Sequence, residues 1–249
     1  MHHAEHVMGT VVSIDLADDL PAPVLRAMIG DVCSWLHEVD RRFSTYRDDS
    51  EVSRLRRREI DVSDCSADLR HVLEACADLW RETDGYFDAY AAGPLDPSGY
   101  VKGWSVEVAS ARLAEAGSVN HCLNAGGDIR ARGLSAKGEP WRVGIRHPWE
   151  PDKLSWVLAV TDRAVATSGI YERGDHVFNP RTREPAHGLR SVTVVGPDLA
   201  LTDAYATAAL AMGEAGLAWL AKLTPEGYES AAVTDDGRAF TSSGLPTAA

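Results

Sequence analysis

The segment LTDAYATAALAMG sets Asp203 and Thr207 four residues apart in a run of Ala, Leu, Met and Tyr. On a helix, positions i and i+4 share one face, so this carboxylate and hydroxyl point the same way among apolar neighbours. Oxygen atoms buried in such company need a partner. One possible partner is a hard cation, which prefers oxygen ligands. The plainer alternative is a helix-starting Asp and a Thr bonded back to its own backbone.

Four further clusters carry residues capable of chemistry. DPSGYVKG sets Gly99 and Gly103 around Lys102 at the expected start of a helix, where free N–H groups and a point charge attract an anion. The same residues also suit a turn with a surface lysine. NAGGDIRARG carries adjacent Gly126 and Gly127 into a strand, which permits positive φ or close approach of a ligand to the backbone; a simple turn uses them equally well. His176, just ahead of Asn179-Pro180, has the side chain best suited to proton transfer near neutrality, although a lone His is more often structural. TDGYFDAY crowds Tyr86, Phe87, Asp88 and Tyr90 together, aromatics that stack on a planar ring or fill a core. No G-x-S-x-G elbow, P-loop or H-E-x-x-H occurs, and the strand–G-x-G-x-x-G–helix context of a dinucleotide fold is missing.

The elements that must position these residues follow from periodicity. VMGTVVSIDLA is rich in β-branched residues and reads as a first strand. Val24, Met28, Val32, Trp35, Leu36 and Val39 recur at helical spacing after Pro21 and Pro23. FSTYRDDSEVSRL follows as a polar loop or short helix, and residues 66–84 as an amphipathic helix ended by Gly85. A third helix is expected over about 102–116. Short β segments then follow at 128–132, 141–147, 154–160, 164–168, 175–178 and 190–196. The Asp203 helix comes next, and ESAAVT and RAFTS close the chain as strands. Helices and strands neither alternate strictly nor repeat, which favours α+β with an antiparallel sheet and packed helices. Nothing resembling a linker divides residues 1–249, so one domain is the simpler reading.

Composition narrows the partners. A hydrophobic share of 45% and a charged share of 25% suit a globular protein. The net charge of -12 argues against nucleic acid, which requires Lys and Arg surfaces. Cys33, Cys65, Cys76 and Cys122 form no C-x-x-C pair, a pattern of buried free thiols in a reducing compartment. No membrane span and no signal peptide are discerned, so a cytoplasmic location is expected. His2, His3 and His6 could suggest a metal-binding tail, but terminal segments are commonly unordered, so a ligand role carries little weight.

Taken in order, MGTVVSI, FSTYRDDSEVSRL, TDGYFDA, LDPSGYVKGWSVE, NAGGDIRARG, VATSGIYERGDHVFNP and SVTVVGPDLALTDAYATAALAMG resemble the ApbE family, the flavin transferases that attach FMN to other proteins. The resemblance implies an enzyme that binds FAD as substrate and, with Mg2+, breaks its pyrophosphate. FMN passes to a Thr or Ser of an acceptor flavoprotein through a phosphoester, and AMP leaves. It also implies site residues. Asp203, Thr207 and the Gly99 carbonyl match metal ligands, and Lys102 and Asp96 match contacts to the flavin nucleotide. Met8, Tyr46, Tyr86, Phe87 and Asp88 match further FAD contacts, and His176 matches the catalytic base. Two alternatives accompany this reading, a Mg2+-dependent FAD pyrophosphatase and a non-catalytic flavin-binding protein. The chain departs from the family pattern in a short stretch between Asp88 and Asp96, in Arg56 following SEVSRL where Asn is usual, and in Asn179 and Arg183 where Asp and Gly are usual.

Overall fold

Val12, Ile14 and Leu16 alternate with Val11, Ser13 and Asp15, and the first set is buried while the second is not. The computed structural model describes residues 1–170 and 178–248. In it the N-terminal segment forms a hairpin, β1 (His2–Val7) and β2 (Thr10–Leu16). The single strand expected over VMGTVVSIDLA is thus broken at Met8–Gly9, where both residues take positive φ, 53° and 69°. A two-residue turn of that kind matches the twist of its strands. Gly9 adopts it freely, whereas Met8 holds it at a cost of roughly 1–2 kcal/mol. The terminal histidines belong to β1, so the expectation that they are unordered is corrected: pairing with β2 orders them.

The helical layer follows. α1 (Ala22–Phe43) buries Leu25, Met28, Val32, Leu36 and Val39 on one stripe. α2 (Glu51–Arg56) starts at Ser50, whose hydroxyl accepts the Ser53 N–H, resolving the loop-or-helix alternative. α3 (Ala67–Glu82) is capped in the same way by Ser66. α4 (Ser98–Glu115) begins four residues before its expected start. Its glycines weaken the sequence signal, but Pro97 precedes it and the Asp96 carboxylate accepts the Ser98 N–H at 3.0 Å. Lys102 therefore sits inside the helix.

β3 (His121–Ala125) is absent from the expected strands, and β4 (Asp128–Arg132) follows it through Gly126–Gly127. β5 (Trp141–Arg146) and β6 (Leu154–Val160) form a separate hairpin. β7 (Ala164–Gly169), the short pair β8 (Phe178–Asn179) and β9 (Glu184–Pro185), and β10 (Leu189–Gly196) come next. Then follow α5 (Leu199–Met212), α6 (Ala215–Ala221), β11 (Glu229–Thr234) and β12 (Ala239–Thr241). Eight strands build one antiparallel sheet in the order β1-β2-β3-β4-β7-β10-β11-β12. Successive β4 residues face opposite layers: Ile129 and Ala131 pack under the β5–β6 hairpin, while Asp128 and Arg130 face α4 and α5. The fold is thus α+β, with an antiparallel sheet between helices and a hairpin.

Two features of this frame make testable claims. Gly103 is where α4 meets α5: an added Cβ would stand 2.6 Å from the Leu199 carbonyl oxygen and 3.0 Å from Ala200 Cα. Backbone cannot rotate away, so Gly103→Ala must part the helices. A loss of roughly 1–3 kcal/mol is expected in urea unfolding, and an unchanged midpoint would show that the interface yields. The second is His121, fully buried, with Nε2 2.8 Å from Ser110 Oγ and Nδ1 3.1 Å from Ser118 Oγ. Burial, with help from Arg132, pushes its pKa down to about 4. The unfolded chain then holds more protons between pH ~6.5 and ~4. His121 thus stabilises fully above ~6.5, and about 3 kcal/mol is lost as pH falls to ~4. His121→Asn should flatten the stability profile in that window; an unaltered slope would place the acid sensitivity elsewhere.

Candidate functional site

α5 starts at Asp198, whose carboxylate accepts the Leu201 N–H at 3.0 Å. The helix-starting Asp is therefore Asp198, and Asp203 lies one turn further in with no capping task. It is 4% exposed, and among the described residues none donates a hydrogen bond to its Oδ2. Thr207 shares its face, with Oγ1 3.1 Å from Ser168 Oγ at the end of β7.

Opposite Asp203 stands Asp128, for which the motif NAGGDIRARG suggests no role. Ala125 pairs with Asp128 across a two-residue turn whose members, Gly126 and Gly127, both have positive φ, 62° and 107°. The turn delivers Asp128, only 1% exposed, to the helix side of the sheet. Its Oδ1 accepts the Thr167 N–H at 3.4 Å, and its Oδ2 is ion-paired with Lys102 Nζ. The same ammonium lies 3.6 Å from Asp203 Oδ2. Two buried carboxylates thus converge on one lysine. Burial first, and then the Asp128 charge, push the Asp203 carboxyl well above the usual carboxylate range, with Lys102 opposing them.

Glu107 holds this arrangement together. It is ion-paired with Arg130 at 2.8 Å and Arg132 at 3.4 Å, and its Oε2 accepts the Leu199 N–H at 2.9 Å. A carboxylate at a helix N-terminus is favoured by the exposed N–H groups there. Glu107 thereby ties α4, β4 and the start of α5 to one another. Neither Asp128 nor Glu107 has a short-range signature beyond its place in GGD or KGWSVE, because each finds its partners on another element.

A cleft of about 390 Å3 opens above this centre. Met8, Tyr46, Tyr86, Phe87, Asp88, Asp96, Gly99, Lys102, Asp203 and Thr207 all line it. Their settings differ. Tyr46 is 98% exposed, and Phe87 is buried with its ring under Gly99. Tyr86 is half-buried and carries the Arg181 guanidinium 4.8 Å above its ring. Asp96 fastens the short segment after Asp88: its N–H donates to the Ala89 carbonyl at 2.6 Å. Arg56 donates to the Leu95 carbonyl and lies 3.8 Å from Asp96. His176 lies outside the described residues, as does most of the strand expected at 175–178. Cys65 and Cys76 are buried free thiols, whereas Cys33 and Cys122 are only half-buried.

Comparison with known proteins gives a consistent result. The model of the ApbE family matches residues 8–95 and 89–230. A Rhodobacter capsulatus protein named FAD:protein FMN transferase is 37% identical over 155 residues, which are 59% of this chain and 29% of that protein. A protein of the same name from Vibrio cholerae serotype O1 is 26% identical over 274 residues, covering 86% of this chain and 82% of that one. Among solved structures, the flavin transferase ApbE from Vibrio cholerae superposes with a TM-score of 0.82 at 24% identity, covering 98% of this chain and 97% of that one. The ApbE protein of Thermotoga maritima gives 0.87 at 21% identity with the same coverage.

Proposed function

The chain belongs to the ApbE family, and from that premise we propose that residues 1–249 act as one Mg2+-dependent FAD:protein FMN transferase domain. FAD is the substrate, and the FMN half passes to a Thr or Ser hydroxyl of an acceptor flavoprotein. The acceptor oxygen bonds to the FMN phosphorus, the phosphorus–oxygen bond to the AMP phosphate breaks, and AMP leaves. No helix among the described residues is long and apolar enough to cross a membrane. A cytoplasmic acceptor is part of the proposal.

The observation that carries this reading is the buried Asp203 Oδ2, which accepts no close hydrogen bond from the described residues, its nearest cation being Lys102 at 3.6 Å, and which lines the cleft beside Thr207. An all-oxygen donor set of carboxylate, hydroxyl and carbonyl suits Mg2+, which keeps few protein ligands and leaves positions for phosphate and water. Asp203, Thr207 and the Gly99 carbonyl are the residues that would hold it. When bound, Mg2+ supplies charge neutralisation at the diphosphate. Lys102, anchored by Asp128, offsets phosphate charge from the α4 side. Tyr46, Tyr86 and Met8 at the mouth, with Phe87 beneath Gly99, suit the flat flavin, and Asp88 and Asp96 its polar groups. His176 accepts the proton of the attacking hydroxyl; this role rests on the motif alone. The cleft volume falls within the ~300–1,000 Å3 of small-molecule sites.

The test is incubation with FAD, Mg2+ and a flavoprotein domain bearing the target hydroxyl, read by flavin fluorescence of the denatured acceptor on a gel. A fluorescent acceptor band is expected, lost with chelator and with a Thr→Ala acceptor. AMP release without any labelled acceptor would favour the pyrophosphatase, and absence of both would favour a flavin-binding protein.

A further inference from the structure

The alternation of β1 turns His3, Glu5 and Val7 inward, and His2, Ala4 and His6 outward to solvent. The inward residues meet α1, on which Cys33 and His37 stand one turn apart. His3 Nε2 lies 2.9 Å from Glu5 Oε2, and His37 Nε2 lies 2.9 Å from Glu5 Oε1. The His3 nitrogen, a Glu5 oxygen and the Cys33 sulfur all lie within 4.8 Å of one another. None of these residues lines the flavin cleft.

We propose that His3, Glu5 and Cys33 form a second metal site, specific for a zinc-class divalent ion, that staples the edge strand β1 to α1. The donor set is nitrogen, oxygen and sulfur. That combination suits zinc and its neighbours, and it does not suit Mg2+, which wants oxygen alone. A tetrahedral ion with nitrogen and oxygen ligands at about 2.0–2.1 Å holds them roughly 3.3 Å apart, a small expansion of the existing His3–Glu5 contact. The sulfur then closes in from within 4.8 Å of both partners. His37 bonds the carboxylate oxygen opposite the His3 side, the position of an outer partner that orients a ligating carboxylate. Water completes the fourth position. On binding, the metal–sulfur bond forms, the thiol proton passes to solvent, and no oxidation state changes. The overall charge of -12 favours cation capture. This site is independent of the flavin chemistry, so its failure would leave the transferase reading untouched.

Co2+ is the probe, because only cysteine coordination gives an intense thiolate-to-metal charge-transfer absorption. The full chain is titrated with Co2+ in excess Mg2+, which occupies hard oxygen sites. One Co2+ per chain with that band is expected. Cys33→Ser should abolish the band, and His3→Ala should remove tight binding. His37→Ala should keep the band and weaken binding about 10–100-fold. Zn2+ should raise the melting temperature of the unmodified protein but not of Cys33→Ser, which checks that the variant still folds. A titration without the charge-transfer band, a band that survives Cys33→Ser, or undiminished affinity in His3→Ala would overturn the proposal.

Discussion

Asp203→Asn is expected to abolish Mg2+-dependent turnover while making the metal-free protein more stable. Both halves follow from one buried carboxylate. Asp203 is 4% exposed, its Oδ2 lacks a hydrogen bond from the described residues, and the Asp128 carboxylate shares its lysine. Its pKa is raised, so keeping it ionised at neutral pH opposes folding. The neutral amide removes that opposition, and a gain of about 1–2 kcal/mol is expected. In a domain of this size that is a rise of roughly 2–8 °C in melting temperature, measured in chelator. The amide is also a poor ligand for Mg2+, and removing the charge stabilisation the ion supplies should lower kcat by at least ~10^3-fold. AMP release against Mg2+ concentration reads that second half. Full turnover in Asp203→Asn would remove the metal argument, and a marked loss of stability would mean that the carboxylate has a structural partner instead. A site that is stabilised by losing its key group is a common trade between stability and activity.

The second large effect is at Lys102. Its ammonium pairs with Asp128, whose side chain is 2% exposed. Lys102→Met leaves that charge buried beside Asp203 with no counter-ion, and breaking such a pair from one side costs roughly 3–5 kcal/mol. Urea unfolding should register the loss directly. The double variant Lys102→Met/Asp128→Asn should recover most of the lost stability, since no unpaired charge remains between α4 and β4. Under the proposed function, activity should stay absent in both, because the charge assigned to the phosphates is gone in each. A single variant as stable as the unmodified chain would show that the pair contributes nothing. A double variant no better than the single would show that Lys102 matters for packing alone.

Much of the helical architecture was legible from periodicity and caps. α1 and α3 appear where their apolar spacing places them, with Ser66 serving as the cap of α3 rather than its first residue. α4 starts one turn before the expected residue because glycine weakens a helix signal, yet Gly103 is what lets α5 approach. β1 was hidden by its histidines, which carry little strand propensity and are ordered only by pairing with β2. The pair Asp203 and Thr207 could be placed on one face by spacing alone. Whether that face met solvent, a cap or a cleft could not, since the capping role falls to Asp198.

By itself, the sequence determined what depends on neighbours along the chain: helix faces and strand alternation. Those follow from local backbone sterics. The tertiary structure decided which elements touch, and with them the pairing of Lys102 with Asp128, the bracing of α5 by Glu107 and the meeting of His3 and Glu5 with Cys33. Such contacts arise from sheet register and helix packing, which bring together residues that no periodicity relates.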